Sequence, residues 1–183
     1  MSGTIRLVGP GGAGKSTIGA LLAARLETPF IDLDASFFER EGNISAYLER
    51  YGYAAYARTN VEVYRSIPPA DGGVIALSSG FMTDVADIHQ TYAEVRASIA
   101  ASPTTFVLLP SLDLDTCVAE IVRRQVRRPF GLVASREESK IRHRFSIYMA
   151  SPALKVETMR LPEAVVTDIV ARVPPDVIPK ATA

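Results

Sequence analysis

Cysteine is nearly absent from this chain, which has Cys117 alone among its 183 residues. A single cysteine cannot form an intramolecular disulfide framework or a cysteine-rich zinc site, so both are excluded. Cys117 lies in a segment expected to be helical and apolar, where cysteine packs as a small hydrophobic side chain. We therefore expect a protein of a reducing compartment.

Net charge is also absent, because 20 basic residues balance 20 acidic ones. A neutral chain has no overall field that attracts nucleic acid or membrane surfaces, so an anionic ligand must be held by a local site. No apolar run reaches the roughly 20 residues of a membrane span, and MSGTIRLVGP has no signal-peptide core. We expect a cytoplasmic monomer with no nucleic-acid or membrane partner.

Internal repeats and low-complexity segments are missing as well, and 48% of the residues are hydrophobic. This composition excludes a fully disordered chain and is sufficient for the core of one domain. We expect that domain to span residues 1–175 and a flexible, proline-rich tail to follow at 176–183.

Five short apolar runs are present, and they predict strands at 5–8, 29–33, 73–77, 105–109 and 154–158. The runs are near-continuous rather than alternating, as in strands that are covered on both faces. Helix-length segments follow or separate them at 15–26, 84–101, 114–124, 137–148 and 162–171. The alternation predicts parallel βαβ units in a three-layer α/β fold.

Two segments interrupt this alternation. Residues 34–65 form a polar, tyrosine-rich insert, and residues 123–140 form an arginine-rich stretch around a Pro-Phe-Gly turn. Loops above the carboxyl ends of parallel strands are where such folds bind ligands. Both segments are therefore expected to lie over a ligand site.

A glycine-rich stretch, GPGGAGKST, follows the first strand and opens the first helix. It satisfies the phosphate-binding pattern GxxxxGK[ST], in the strand-to-helix context that supports the match. Backbone N–H groups of such a loop bind phosphate oxygens, the lysine reaches the outer phosphates and the hydroxyl ligates Mg²⁺. A glycine-rich turn without a ligand is the disfavoured alternative. The expected ATP-binding residues are Gly11, Gly12, Ala13, Gly14, Lys15, Ser16 and Thr17.

Two acids, Asp32 and Asp34, follow the second strand in the segment FIDLDASFFE. Residues two apart in a strand point to the same side, so both carboxylates are predicted to face the phosphate loop. Two anions beside ATP require a cation between them and the phosphates. One acid, with Ser16, is therefore expected to hold Mg²⁺, and the other to orient or deprotonate a hydroxyl acceptor. The alternative is a pair of acids that caps the following helix.

Other classes of phosphate-loop protein are disfavoured. The chain lacks an NKxD-type guanine-reading stretch, and VIALSSG and TFVLLPS do not end in the aspartate expected of a motor ATPase. GPGGAGKST followed by PFIDLDASFFE instead resembles the shikimate kinase family. ISAYLERYG resembles the helix of that family's substrate lobe, and VIALSSG resembles its strand ending in three glycines. RRPF resembles its lid motif, and RFSIYMASPALKVET resembles its last helix and strand.

The resemblance implies a P-loop kinase fold with a five-stranded parallel sheet. It also implies a substrate-binding insert after strand 2, at about 34–65, and an arginine-rich lid at about 123–140. The activity that it implies is ATP- and Mg²⁺-dependent phosphorylation of a ring hydroxyl on a small acid, with shikimate as the default acceptor.

Roles for individual residues follow from the same resemblance. Asp32 would organise Mg²⁺, while Lys15 and Asp34 would be catalytic, with Asp34 at the acceptor hydroxyl. Arg128 would reach from the lid to neutralise the transferring phosphoryl group, and Arg144 would bind the substrate carboxylate. Solvated basic residues on a loop and a helix are the alternatives for the two arginines. The stretch at 78–80 would add Ser79 and Gly80 to the substrate site.

Departures from the family pattern fall on the acceptor side. Tyr56 and Ala57 stand where the family has a Phe-Arg pair, and Arg58 is one position late. One position rotates a helical side chain by about 100°, so Arg58 binds the substrate only if the local backbone shifts. The residues at 78–80 are Ser-Ser-Gly rather than three glycines, and the shorter lid leaves open which arginine contacts adenine.

These departures leave two alternatives open. In the first, the acceptor is another cyclitol, sugar or specialised metabolite. In the second, the protein is a nucleotide-binding regulator with little turnover. Tyrosines at 47, 51, 53 and 56 either line a sugar-like pocket or pack along a helix, and their spacing favours packing. His89 and His143 have no partner at metal-ligand spacing.

Overall fold

The computed structural model describes residues 3–68, 73–127 and 133–175. Five strands form one sheet in the order β2-β3-β1-β4-β5, and every neighbouring pair is parallel. The strands are β1 (Thr4–Val8), β2 (Phe30–Asp32), β3 (Gly73–Ala76), β4 (Thr105–Leu109) and β5 (Leu154–Glu157). This confirms the predicted α/β fold.

Seven helices lie in the described ranges. They are α1 (Lys15–Arg25), α2 (Leu33–Glu41), α3 (Ile44–Ser66), α4 (Tyr92–Ala101), α5 (Leu114–Val126), α6 (Ala134–Ala150) and α7 (Pro162–Arg172). The insert predicted at 34–65 is therefore a pair of helices, α2 and α3. None of the described helices is both long enough and apolar enough to cross a membrane.

The sheet separates two hydrophobic cores, and β4 shows how. Phe106 and Leu108 pack in one core with residues of α1 and α7. Val107 and Leu109 point to the opposite face, where they pack with residues of α2 to α6. Because consecutive residues of a strand face opposite sides, a continuously apolar strand supplies both cores. The three predicted layers follow directly from this arrangement.

The helix predicted at 84–101 is wrong in its first half, because α4 begins at Tyr92 and residues 84–91 form turns. Tyr92 is fully buried, and its hydroxyl donates to the Phe81 carbonyl at 2.7 Å and accepts from the Asp84 N–H at 3.1 Å. These bonds satisfy backbone groups outside a helix. A buried tyrosine thus holds the turn that leads from β3 towards α4.

The second strand is also shorter than predicted, because Asp32 ends β2 and Leu33 begins α2. Leu33 and Phe37 are buried at i, i+4 spacing, which anchors α2 to the core. This early start of α2 decides where the acidic side chains lie.

Candidate active site

The glycine-rich loop joins β1 to α1 at the carboxyl end of the sheet. Gly14 caps α1 with φ 95° and ψ 11°, a left-handed conformation that favours glycine. Lys15 Nζ donates to the carbonyl oxygens of Gly9 and Pro10 at 2.8 and 3.0 Å, so the lysine lies folded over the loop. The positive end of the α1 dipole points at the same place.

A small cavity of about 140 Å³, here named the phosphate cavity, lies in the curve of this loop. Its lining consists of Gly11, Gly12, Gly14, Lys15, Ser16, Thr17, Asp32, Asp34, Ala76, Leu77, Ser79 and Gln125. Six of the seven residues expected to bind ATP therefore surround it. The seventh, Ala13, has a side chain buried in the core.

Asp32 uses its two carboxylate oxygens for two different contacts. Ser16 Oγ donates to Asp32 Oδ2 at 2.5 Å, and the backbone N–H of Asp34 donates to Asp32 Oδ1 at 3.0 Å. The second contact makes Asp32 the N-cap of α2, so the helix-cap alternative holds for this acid. The first contact joins a hydroxyl and a carboxylate, the hard oxygen ligands that suit Mg²⁺. The pair therefore fits the predicted metal role as well.

Asp34 lies in the first turn of α2 rather than on a strand. Strand alternation, on which its predicted orientation rests, therefore does not apply. Asp34 nevertheless lines the phosphate cavity together with Asp32. Ser78 Oγ donates to Asp34 Oδ1 at 2.5 Å and lies 3.4 Å from Asn60 Oδ1. Ser78 and Asn60 are both buried, so the core fixes this carboxylate.

A second cavity of about 570 Å³, here named the lobe cavity, adjoins the phosphate cavity at Asp34 and Ser79. Phe38, Ile44 and Leu48 supply its apolar wall. Its other lining residues are polar, charged or glycine: Asp34, Asn43, Ser45, Tyr53, Tyr56, Ser79, Gly80, Gln125, Glu137, Lys140 and Arg144. Because most of the lining residues are polar, the cavity suits a small molecule that carries several polar groups.

Arg144 reaches the lobe cavity from α6. Its Nη2 donates to Tyr53 Oη at 3.2 Å, and Tyr53 Oη donates to Asp84 Oδ1 at 2.7 Å. A Cβ on Gly80 would lie 2.5 Å from Tyr53 Oη and 3.1 Å from Arg144 Nη2, so a larger residue here would displace both groups. Gly80 thus allows the guanidinium and the phenol to meet against the turn after β3.

Both tyrosines of the lobe cavity stay protonated at neutral pH. Burial, and then the nearby Asp84, raise the pKa of Tyr53 above its ordinary value. Burial, and then the nearby Asp34, do the same to the pKa of Tyr56. Each phenol can therefore take part in hydrogen bonds without adding a negative charge to the cavity.

Comparison with known proteins gives a consistent match over the chain. The family model described as shikimate kinase matches residues 11–174. The chain belongs to the shikimate kinase family. A shikimate kinase of Chromohalobacter salexigens is 34% identical over 178 residues, which cover 92% of this chain and 91% of that protein. One of Mycobacterium avium is 31% identical over 176 residues, which cover 92% of each.

Solved structures share the fold. A shikimate kinase from Acinetobacter baumannii, in complex with shikimate, superposes with a TM-score of 0.73 at 24% identity, covering 91% of this chain and 90% of that one. A shikimate kinase from Aquifex aeolicus gives a TM-score of 0.67 at 24% identity, with 92% and 94% covered. Family membership makes this protein an ATP-dependent kinase that uses Mg²⁺ and phosphorylates a hydroxyl group.

One arginine expected in the kinase site, Arg58, is not brought to the cavities. Arg58 is exposed, and its Nε donates to the Ile88 carbonyl at 3.3 Å. It is not among the residues that line the lobe cavity. Arg128 lies outside the described residues, so its lid role stays a prediction. Arg144 is thus the arginine that the described part of the kinase places in the lobe cavity.

The tyrosines of the insert divide into two groups. Tyr47 packs against Phe37 and Tyr51, as the helical spacing predicts. Tyr53 and Tyr56 line the lobe cavity, so packing alone is the wrong interpretation for them. The spacing could not separate the groups, because the helix is broken at Gly52, where φ is 78° and ψ is 169°.

Sequence reasoning missed Gln125, which lines both cavities of the kinase. The predicted helix ended at 124, whereas α5 continues to Val126. The buried face of α5 consists of Cys117, Val118, Ile121 and Gln125, so its helical period pointed to this residue. A Cβ on Gly11 would lie 2.3 Å from Gln125 Nε2, which shows how closely the glutamine approaches the loop.

Arg124 connects α5 to the phosphate loop. Its Nη1 donates to the Gly12 carbonyl at 3.0 Å, and its Nε donates to Glu120 Oε1 at 2.6 Å. Arg123 binds the same carboxylate, and its hydrogen bond, with that of Arg124, lowers the pKa of Glu120 to about 2. Glu120 is therefore ionised at neutral pH and holds Arg124 over the loop.

Proposed function

We propose that this kinase transfers the γ-phosphoryl group of ATP to a hydroxyl of shikimate or a closely related small hydroxylated acid. The observation that carries the proposal is the position of Asp34, which lies where the phosphate and lobe cavities meet. A carboxylate at that boundary can contact a hydroxyl in one cavity and face a phosphoryl group in the other. Such a placement is what phosphoryl transfer to an alcohol requires.

On the nucleotide side, the backbone N–H groups of the loop and Lys15 Nζ would hold the phosphates. Ser16 and Asp32 would hold Mg²⁺, which neutralises phosphate charge when bound. The Ser16 to Asp32 hydrogen bond supports this role, because it places both oxygen ligands next to each other. Lys15 would supply a fixed positive charge against the charge that develops during transfer.

On the acceptor side, Asp34 would orient the acceptor hydroxyl and take its proton as the new P–O bond forms. Ser78 would keep the carboxylate in place through its 2.5 Å hydrogen bond. Arg144 would bind the carboxylate of the acceptor, since its fork of N–H donors matches that group. Ser79 and Gly80 would line the path between the two cavities.

A second candidate keeps the chemistry and changes the acceptor to another cyclitol, sugar or specialised metabolite. The position of Arg58 favours it, because its guanidinium binds the Ile88 carbonyl instead of lining the lobe cavity. A substrate carboxylate that is bound by one arginine rather than two loses part of its binding energy. Neutral polyols would then compete better with acids for the cavity.

A coupled assay of ADP release would test the acceptor. Shikimate, quinate, gluconate, common cyclitols and nucleoside monophosphates would each be offered with MgATP. We expect saturable turnover with shikimate in the range of about 1 to 10³ s⁻¹. Turnover with another compound alone would favour the second candidate. No acceptor-dependent release with any compound would contradict both and support a regulatory role.

We propose that Arg124 is the arginine on the adenine side of the nucleotide. It lines a cleft beside the loop with Ala13, Thr17 and Arg160, and Asp34 is not among the residues that line this cleft. Arg124→Ala is expected to raise the KM for ATP about tenfold, because a charge-assisted hydrogen bond contributes about 1.5–3 kcal/mol. The KM for the acceptor should stay unchanged in steady-state kinetics.

Arg123→Ala is the matched control, since Arg123 binds Glu120 but not Gly12. It should change the KM for ATP less than twofold. Equal effects of the two substitutions would mean that Arg124 acts through general charge rather than through its contact with the loop.

We further propose a cytoplasmic monomer. ATP as the phosphoryl donor supports a location where ATP is abundant. Sedimentation velocity in the presence of MgATP would measure the oligomeric state. A stable dimer at micromolar concentration would contradict the monomer.

A further inference from the structure

The hydroxyl proton of Tyr53 is used in a hydrogen bond to another residue of the protein. A phenol carries one proton, and Tyr53 Oη donates it to Asp84 Oδ1 at 2.7 Å. The raised pKa of Tyr53 keeps that proton in place at neutral pH. Towards the lobe cavity the oxygen can therefore only accept hydrogen bonds. One is already supplied by Arg144 Nη2 at 3.2 Å, and a lone pair remains for a ligand.

Arg144, in contrast, can donate hydrogen bonds to a ligand in the lobe cavity. Across the described residues, no carboxylate lies within 4.0 Å of its guanidinium nitrogens, and the hydrogen bond to Tyr53 uses one of its five N–H donors. The guanidinium therefore has donors available to an anionic group in the lobe cavity. Tyr53 Oη lies 3.2 Å from Arg144 Nη2, one of the nitrogens that carry these donors.

The lobe cavity can therefore bind a ligand whose anionic group meets Arg144 and whose hydrogen-bond donor meets Tyr53 Oη next to it. Resting on the proposed function, we propose that Tyr53 is a specificity-determining residue, whose hydroxyl oxygen binds a non-reacting hydroxyl of the acceptor beside the anionic group held by Arg144. The acceptor class is a carboxylate that carries a hydroxyl within hydrogen-bond reach of the same arginine. A carboxylate without that hydroxyl leaves the lone pair of Tyr53 unpaired.

Two glycines lie next to Tyr53, one in sequence and one in space. The non-helical backbone at Gly52 precedes Tyr53, and Gly80 leaves space for the phenol oxygen, because a Cβ there would lie 2.5 Å from it. The centroid of the Tyr53 ring lies 6.0 Å from that of Tyr56. The oxygen is positioned by its two hydrogen bonds and by this ring contact.

Tyr53→Phe tests the proposal, because it removes the oxygen and keeps the ring. The first readout is steady-state kinetics with shikimate. We expect the KM for the acceptor to rise about tenfold, with kcat and the KM for ATP within twofold of the wild type. Tyr51→Phe is the matched control, since Tyr51 lies on the other side of Gly52 and packs on Tyr47. It should leave all three parameters unchanged.

The second readout pairs each enzyme with the deoxy analogues of shikimate that lack one non-reacting hydroxyl. One analogue should lose about tenfold in kcat/KM with the wild type and less than twofold further with Tyr53→Phe. Unchanged kinetics of Tyr53→Phe, or additive losses with every analogue, would overturn the proposal. A fall in kcat with an unchanged KM would also overturn it, because it would indicate a role in transfer.

The proposed acceptor would be wrong if the wild type did not turn over shikimate, and that result alone would not decide the role of Tyr53. The same pair of variants is then compared by calorimetric affinity for shikimate, quinate and gluconate. A loss of about tenfold in affinity confined to Tyr53→Phe would support the role of Tyr53 on its own. Equal affinities of both variants and the wild type, or no binding of any of these acids to the wild type, would overturn it.

Discussion

Asp34→Asn is expected to lower kcat by about 10³-fold, within the range of about 10² to 10⁴ that a general base contributes. The amide keeps the size of the carboxylate and can still accept from Ser78 Oγ, but it cannot take a proton from the acceptor. ATP affinity should stay within about twofold, because the protein contact of the Asp34 side chain is with Ser78 rather than with the loop. Coupled ADP release and calorimetric ATP binding measure the two quantities.

Asp115→Asn is the control for this substitution. Asp115 also lies in the first turn of a helix, but it pairs with Arg142 and lines neither cavity. It should retain wild-type kcat. If Asp34→Asn instead lost ATP affinity and kept kcat, Asp34 would belong to the nucleotide site and not to the acceptor.

Lys15→Met is expected to lower kcat by about 10² to 10³-fold and to weaken ATP binding as well. Removal of one preorganised donor for transition-state charge has an effect of this size. Methionine has a similar length and no charge, so the fold should survive. The comparison requires kcat from ADP release, ATP affinity from calorimetry and the midpoint of thermal unfolding.

Lys155→Met provides the control, since Lys155 lies on β5 and lines neither the phosphate nor the lobe cavity. Its kinetics should match those of the wild type. A large loss of thermal stability in Lys15→Met alone would assign the effect to the loop structure, because Lys15 also binds the Gly9 and Pro10 carbonyls.

The fold was predictable because its signals are local. Continuous apolar strands, short helices and the loop GPGGAGKST each occupy a few neighbouring residues, and the parallel sheet follows from their order. The error at 84–101 arose where a tertiary contact intervened. The buried hydroxyl of Tyr92 satisfies backbone groups of a turn, and no periodicity reports that bond.

The candidate site was predictable on its nucleotide side, and the family resemblance also supplied acceptor-side residues that line the lobe cavity, namely Asp34, Ser79, Gly80 and Arg144. Asp34 is found where it was expected but on a different element, since the turn of a helix and not the pleat of a strand carries it there. The lobe cavity depends on contacts between segments far apart in the chain, such as Arg144 with Tyr53. Sequence spacing cannot predict such contacts, and the family resemblance also suggested Arg58, which does not line this cavity.

The double use of Asp32 has a consequence for how this enzyme can change over evolutionary time. One carboxylate both starts α2 and accepts from Ser16, so a substitution there disturbs the start of the helix and the proposed metal site together. Selection therefore cannot adjust one of these contacts without the other. Tyr53 and Arg144, which are proposed to bind the acceptor, are on α3 and α6, and exchanging them leaves that helix start intact. The enzyme can thus acquire new acceptors while the residues that carry out phosphoryl transfer stay unchanged.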